Sequence, residues 1–449
     1  MIINKEKEEL KHQLVYYRKR YNDIYYSKTW QIFLLVKNCL IKVKKIIKGI
    51  ISPSLRLKDI PEILSKEIKA ANKLVLINLP LINWYRKRQR PQHLCQQFAK
   101  DNNLVFYINN HFIVELQSGL NKNQIAKKIK IRKLKERIYE VDLVSFTNLD
   151  INKDAISNLW DQQYLSWSFN ALLKAIGNKK TIIKVDNPFW YILVKNLKNN
   201  CLLYDCMDEL SGFWNTGSIL QLEPLLAKKA KIILASSRTL LKKLKKYNKA
   251  CFLVPNATEY NHFAKQTNKI PHDMQFKHPL IGYYGAIGGW FDDQLLFYLA
   301  NKKPAWNFVI IGNISDPEKL QSIIRTGLDN IHILNQKTYQ DLPLYLYCFD
   351  VCLIPFLINQ LTKAVNPIKL FEYLSAGKPI VSTNLPEIKQ YKQPYVYLAK
   401  TKKEFLEKIE LALKETNKDF SHKRQELAKQ NTWDIRYQQI NNIISKYYE

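Results

Sequence analysis

From residue 71 onward, short apolar runs alternate with segments of helical spacing, and this alternation narrows the fold more than any other feature of the 449-residue chain. The first run, 73–79, reads KLVLINL. A near-continuous apolar run of this length suits a strand buried on both faces, as in a parallel sheet covered by helices. Pro91 then suits the first turn of a helix over 91–100. Runs at 104–108, 143–146, 181–185, 202–205 and 232–235, with a helix near 222–231, extend the series. The series closes at Val254, Pro255 and Asn256, and the polar stretch 264–279, with Pro271 and Pro279, reads as a linker. A second series starts at Leu280, with strands expected at 280–284, 308–311, 331–334, 351–355, 379–382 and 396–398, and helix from Lys402 onward. Repeated βα units predict the α/β class with two Rossmann-like doubly wound domains. The expected divisions are a basic helical extension over 1–70, a first Rossmann-like domain over 71–265, a second over 266–425, and a closing helix over 426–449 packed back on the first. Two such domains face each other across a cleft at the carboxyl ends of their strands.

Composition removes several alternatives. Hydrophobic residues are 46% of the chain, too many for a disordered polymer, and twelve glycines are too few for a collagen-like one. No apolar run approaches the ~18 residues of a spanning helix. Residues 1–20 are charged throughout and offer no cleavable signal, so a cytoplasmic location is expected. The seven cysteines are odd in number and form no CxxC, which favours buried thiols over a disulfide framework or a zinc site.

The formal net charge is +31. Part of it reflects a general enrichment in Lys, Ile and Asn. The rest suits a phosphate-rich partner. Between Trp30 and Ile51 there are five lysines and no acid, and Ile32, Val36, Cys39, Val43, Ile46 and Ile50 recur at helical spacing. A basic amphipathic helix over 30–51 suits an anionic membrane surface, which would make the protein peripheral on the inner face of a membrane. Packing of that helix on the protein itself is the alternative. Nucleic acid is not expected, because the charge is scattered and no reader motif is present.

The richest segment is 366–379, NPIKLFEYLSAGKP. Asn366 can cap a helix, Pro367 suits its first position, Gly377 suits a left-handed stop, and Pro379 forbids continuation. Lys369 then sits near the positive helix start and Glu372 lies one turn later. Both signs oppose the helix dipole, and Lys before Glu is the weaker pair order. An anionic ligand accounts for them better than a surface ion pair does. The helix start with Lys369 suits a diphosphate, and Glu372 suits a ribose diol. A second segment, 282–292, holds four of the twelve glycines just after the first strand of the second series, where backbone can approach a ligand closely. A third, 84–93, places Trp84, Tyr85, Arg86, Lys87, Arg88, Arg90 and His93 after the first strand of the chain, a position suited to an anionic substrate. His93 there is a candidate base or donor, with a structural histidine as the alternative. In a fourth, 204–210, Asp205, Asp208 and Glu209 follow an apolar run, and Asp208 suits sugar hydroxyls or a helix cap.

These segments resemble the GT-B fold nucleotide-sugar glycosyltransferases of the retaining family 4, also called glycosyl transferases group 1. The matching stretches are RPQHL at 90–94, LLYDCMDEL at 202–210, ASS at 235–237, VPNATEYNHF at 254–263, IGYYGAIGGWFD at 281–292, YLYCFDVCLIPF at 345–356 and NPIKLFEYLSAGKPIVS at 366–382. Together they span about 71–440. The resemblance implies transfer of a sugar from a nucleoside diphosphate sugar to a cell-envelope or polysaccharide acceptor, glycan or lipid-linked, with retention and without a metal or other cofactor. In the family the helix bearing KLFEYLSAGKP binds the donor nucleotide, so donor contacts are expected at Asn366, Lys369, Leu370 and Glu372 and at the glycine turn Gly285, Ala286, Ile287 and Gly288. From their place at strand ends, Trp84, Arg86, Arg88 and Arg90 are the expected acceptor contacts and His93 and Asp208 the expected catalytic residues. The family's pair of glutamates eight positions apart is incomplete here: Glu372 matches the second, and position 364 is Ala. A nucleotide-sugar epimerase on the same fold and a non-enzymatic basic membrane-surface protein are the alternative readings.

Overall fold

The computed structural model describes residues 74–448 apart from 86–87, 154, 199, 213–216, 268 and 315–316, together with 55, 56 and 67. The basic segment 30–51 therefore lies outside the described residues, as does Arg86.

Seven parallel strands form the core of the first sheet: β1 (Val75–Leu79), β2 (Leu104–Ile108), β3 (Ile138–Asp142), β4 (Thr181–Val185), β5 (Cys201–Cys206), β6 (Ile232–Ala235) and β7 (Cys251–Leu253). Their order is β3-β2-β1-β4-β5-β6-β7. The second sheet is β8 (Leu280–Tyr284), β9 (Asn307–Ile311), β10 (Ile331–Leu334), β11 (Val351–Ile354), β12 (Ile380–Thr383) and β13 (Tyr397–Ala399), in the order β10-β9-β8-β11-β12-β13. Both sheets reverse their strand order beside their first strand, between β1 and β4 and between β8 and β11. Such a reversal opens a crevice at the strands' carboxyl ends. Each sheet has its own apolar core.

One expected strand moves. The run 143–146 does not enter the main sheet; Val144–Ser145 pairs with Ile113–Val114 in a separate ribbon. Its place is taken by β3, whose sequence IYEVD hides a buried strand behind two acids. Asp142 is tolerated there because Asn109 Nδ2 donates to it at 2.7 Å. The closing helix also begins later than 426. Helix α10 (Lys418–Lys429) packs on α8 (Ile368–Ser375) within the second domain, and α11 (Trp433–Tyr448) lies on the first. There Tyr437 Oη donates to Asp101 at 2.6 Å, and Thr181 N–H donates to Tyr448 Oη at 2.9 Å. The chain thus crosses between the domains twice, and the crossings pair: Thr258 N–H donates to the Asn431 carbonyl at 3.0 Å, and Trp433 N–H to that of Thr258 at 3.2 Å.

The segment around α8 also corrects an expectation. Asn366 does not cap the helix; Pro367 stands at the cap position in extended conformation. The Asn366 side chain is turned to the first domain instead, where its Oδ1 accepts from Asn256 N–H at 3.0 Å. The left-handed stop at Gly377, φ +68°, is as expected.

Candidate active site

The donor-side geometry begins with a close approach. At the end of β8 the chain turns through Gly285, φ +143°, where an added Cβ would lie 2.1 Å from Lys369 Cε and 2.5 Å from its Nζ. Gly312, at the end of β9, is equally confined: a Cβ there would fall 1.8 Å from the Gly285 carbonyl oxygen. Only glycine lets these two strand ends meet beneath the lysine. The Lys369 ammonium, in the first turn of α8, stands 5.7 Å from the Tyr283 ring centroid. One turn on, Glu372 is buried and its Oε2 accepts from Tyr284 Oη at 2.8 Å. Burial holds the Glu372 carboxyl above the usual range, with Lys369 pulling the other way.

These groups line a cavity of about 1110 Å³ between the two domains. Tyr284, Gly285, Ala286, Lys369 and Glu372 form part of its second-domain wall; Trp84, Arg88 and Asp208 stand on the other. Trp84 is braced edge-on by Tyr107, with ring centroids 5.1 Å apart. Arg88 pairs with Glu259 at 2.6 Å and lies over the Tyr339 ring at 4.8 Å. Asp208 is partly buried, and desolvation pushes its carboxyl up to about 6. Among the described residues, Asp208 and Glu372 are the cavity's two carboxylates, and no group of three or more His, Cys, Asp or Glu side chains is arranged to hold a metal.

Residues 289–415 match the family model described as glycosyl transferases group 1. The two-domain fold is GT-B. The chain is 30% identical over 216 residues to a putative teichuronic acid biosynthesis glycosyltransferase, TuaH, of Bacillus subtilis (strain 168); the match covers 44% of this chain and spans about half of the relative, 53%. In fold it resembles Anabaena HepE, solved in complex with UDP and glucose, at TM-score 0.58 and 15% identity over 83% of this chain and all of that one. It also resembles the catalytic domain of starch synthase IV from Arabidopsis thaliana, bound to ADP and acarbose, at TM-score 0.62 and 10% identity over 84% of this chain and all of that one.

The second domain gathers Gly285, Ala286, Asn366, Lys369 and Glu372 on one wall but leaves out three expected donor contacts. Ile287 is fully buried and bridges to Ile314, Gly288 turns away under the Trp290 ring, and Leu370 points into the second core. In the first domain, Arg90 is not a loop cation. It opens helix α1 (Arg90–Lys100), and its guanidinium meets Asp205 at 2.8 Å and the carbonyls of Val254 and Pro255 at 2.9 and 3.2 Å. Lys184 reaches the same Asp205 at 2.9 Å and also pairs with Asp186. Burial alone would raise the Asp205 carboxyl, but Arg90 and Lys184 hold it below the usual range. Glu209 likewise pairs within the fold, with Lys243 at 2.7 Å, which leaves Asp208 to the cavity. His93 does not face the cavity: it is buried and stacked on Trp433 at 4.8 Å, a structural tie to α11, and desolvation keeps it neutral. Two cavity residues escape a sequence reading. Tyr284, which orients Glu372, looks like one more residue of a buried strand, and Asn256 looks like the end of a domain. The Pro-Asn pair between the two series was the available signal for Asn256.

Proposed function

We propose that the protein is a glycosyltransferase that moves a sugar from a nucleoside diphosphate sugar to a cell-envelope or polysaccharide acceptor. The observation that carries this reading is the Lys369–Gly285 contact at the start of α8, beside buried Glu372. A cation, a helix start and a stripped backbone meet where a diphosphate would lie, and Glu372 stands where its carboxylate oxygens would accept from the hydroxyls of a ribose diol. As the bond from sugar to diphosphate breaks, Lys369 and the helix start stabilise the charge gathering on the departing phosphate, without an obligatory metal. The acceptor hydroxyl attacks from the face the diphosphate leaves, its proton passing to the departing phosphate oxygen, so that configuration is retained. Asp208 accepts from a sugar hydroxyl and orients it. The teichuronic acid role in the name of the Bacillus relative supports a cell-envelope acceptor. Among the described residues no helix is long and apolar enough to cross a membrane. A membrane-linked acceptor would be reached through the basic segment 30–51 lying on anionic lipid.

A thermal-shift screen against UDP, GDP, ADP and CMP sugars tests the donor class, since a ligand of the folded state raises apparent stability. One base is expected to stand out; no shift with any of them would end the reading. Product anomeric configuration by NMR then tests retention, and co-sedimentation with anionic and neutral vesicles tests segment 30–51.

A further inference from the structure

In a nucleoside diphosphate sugar the diphosphate separates the ribose from the sugar. With the ribose at Glu372 and the diphosphate at Lys369, the sugar lies beyond Lys369, towards the chain that precedes α8 and the segment after β5. Five apolar side chains line the cavity there: Met207, Leu210 and Ile219 from the first domain, and Leu361 and Val365 from the second. The two sets meet. Gln360 Nε2 donates to Ser211 Oγ at 2.9 Å, and a Cβ added at Gly212 would fall 2.5 Å from Leu361 Cβ.

The polar side chains of the same stretch are committed to the protein. Thr362 Oγ1 donates to the Leu357 carbonyl. Asn187 Nδ2 donates to the Ile151 carbonyl at 3.2 Å, and its Oδ1 accepts from Phe189 N–H at 2.9 Å. Asn256 Nδ2 donates to the Asn366 carbonyl at 2.7 Å, and its Oδ1 accepts from Arg90 Nη1 at 3.4 Å. Between Leu361 and Val365, Ala364 is fully buried in the first core and Lys363 is exposed outside the cavity lining. Among the described residues, Asp208 is the carboxylate at this end of the cavity. A sugar hydroxyl set against such a wall gives up water and gains no partner, whereas a methyl group gains burial.

We propose that this wall selects a donor sugar that presents a methyl group to it, as an acetamido or a 6-deoxy sugar does, over the fully hydroxylated hexose. The proposal rests on the glycosyltransferase reading above and names the sugar class of that same donor site. The methyl is enclosed by apolar side chains of both domains, and Asp208 is left to accept from a ring hydroxyl.

Calorimetric titration of the full chain with three donors of the preferred base tests it: the plain hexose, its acetamido derivative and its 6-deoxy derivative. On uridine these are UDP-glucose, UDP-N-acetylglucosamine and UDP-6-deoxyglucose, with UDP alone as reference. At least one methyl-bearing donor is expected to bind about 10-fold or more tighter than the plain hexose, and the one that does so identifies the source of the methyl. Met207→Gln and Val365→Thr each put a polar group on the wall at nearly unchanged volume. Each is expected to narrow the ratio by about threefold or more, with affinity for the nucleoside diphosphate alone held within about twofold. A plain hexose bound as tightly as both derivatives, or a ratio that neither substitution moves, would overturn the proposal and leave the glycosyltransferase reading standing. Failure to bind any nucleoside diphosphate would end that reading, and the proposal with it.

Discussion

The two walls of the cavity use charge in opposite ways. Beneath the first domain, Arg90, Lys184, Asp186 and Asp205 neutralise one another inside the protein, fully buried at the carboxyl ends of β4 and β5 and the start of α1. On the second domain, Lys369 and Glu372 are set one turn apart on α8 against its dipole, with glycines cleared around the lysine, and both face the cavity. Both clusters look alike along the chain, as cations and acids near the end of an apolar run. The difference lies in where the partner is. Arg90 finds its acid 115 residues away, on a neighbouring strand. Lys369 stands at the start of its own helix against the loop after β8, where the proposed diphosphate would lie.

The largest expected effect would break this comparison on the first-domain side. Asp205→Ala leaves two buried cations to one remaining acid, and removing one partner of a buried ion pair costs about 3–5 kcal/mol. Chemical denaturation should show that loss. A parent-like midpoint would mean that the cluster is not what holds the cavity floor, and that Arg90 is available to an acceptor after all.

An intermediate effect would sharpen the second-domain side. Lys369→Ala should weaken nucleoside diphosphate binding by about 1.5–3 kcal/mol with little change in melting temperature. Gly285→Ala should do the same by displacing the ammonium, with a stability loss of its own from the positive φ. If Lys369→Ala binds the nucleotide as the parent does while Asp205→Ala still destabilises, the phosphate site lies elsewhere and the contrast between the walls collapses.

The smallest effect concerns Asp208. Its carboxyl is raised to about 6 by burial, so the folded state holds the proton more tightly than the unfolded chain. The stabilisation this gives is fully present below pH ~4 and is lost as pH rises through ~6. Asp208→Asn should therefore stabilise the protein at neutral pH by about 1–2 kcal/mol, partial solvent contact trimming the full value, and should flatten stability between pH ~4 and ~6. It should also lower turnover more than it changes donor affinity. Unchanged stability with unchanged turnover would remove Asp208 from the site.

Much of the architecture was legible along the chain because buried parallel strands write themselves as short apolar runs. Strands β2, β4, β6, β8 and β10 fall at the expected residues. Strand β3 did not, because its two acids mask it and their compensation comes from other segments, as with Asn109 for Asp142. In the site, Lys369 and Glu372 were legible because the oddity was local: two charges set against the dipole of a helix whose stop is written in the sequence. Ile287 and Leu370 lie in the second core and Gly288 lies outside the cavity lining, because motif membership does not say which residues of a turn or helix face the cavity.

The sequence by itself determined the α/β class, the two halves, the helix that carries Lys369 and Glu372, and the glycines after β8. Each of these rests on patterns within about twenty residues, where helix periodicity, strand length and turn chemistry act. Tertiary structure alone decided that Arg90, at the cavity's edge, is tied to Asp205, that His93 packs on Trp433 outside the cavity, that Asp208 rather than Asp205 or Glu209 faces the cavity, and that Asn256 reaches across to Asn366. Those outcomes depend on which distant groups burial brings within about 3 Å, and a buried charge or amide takes its role from the partner it finds there.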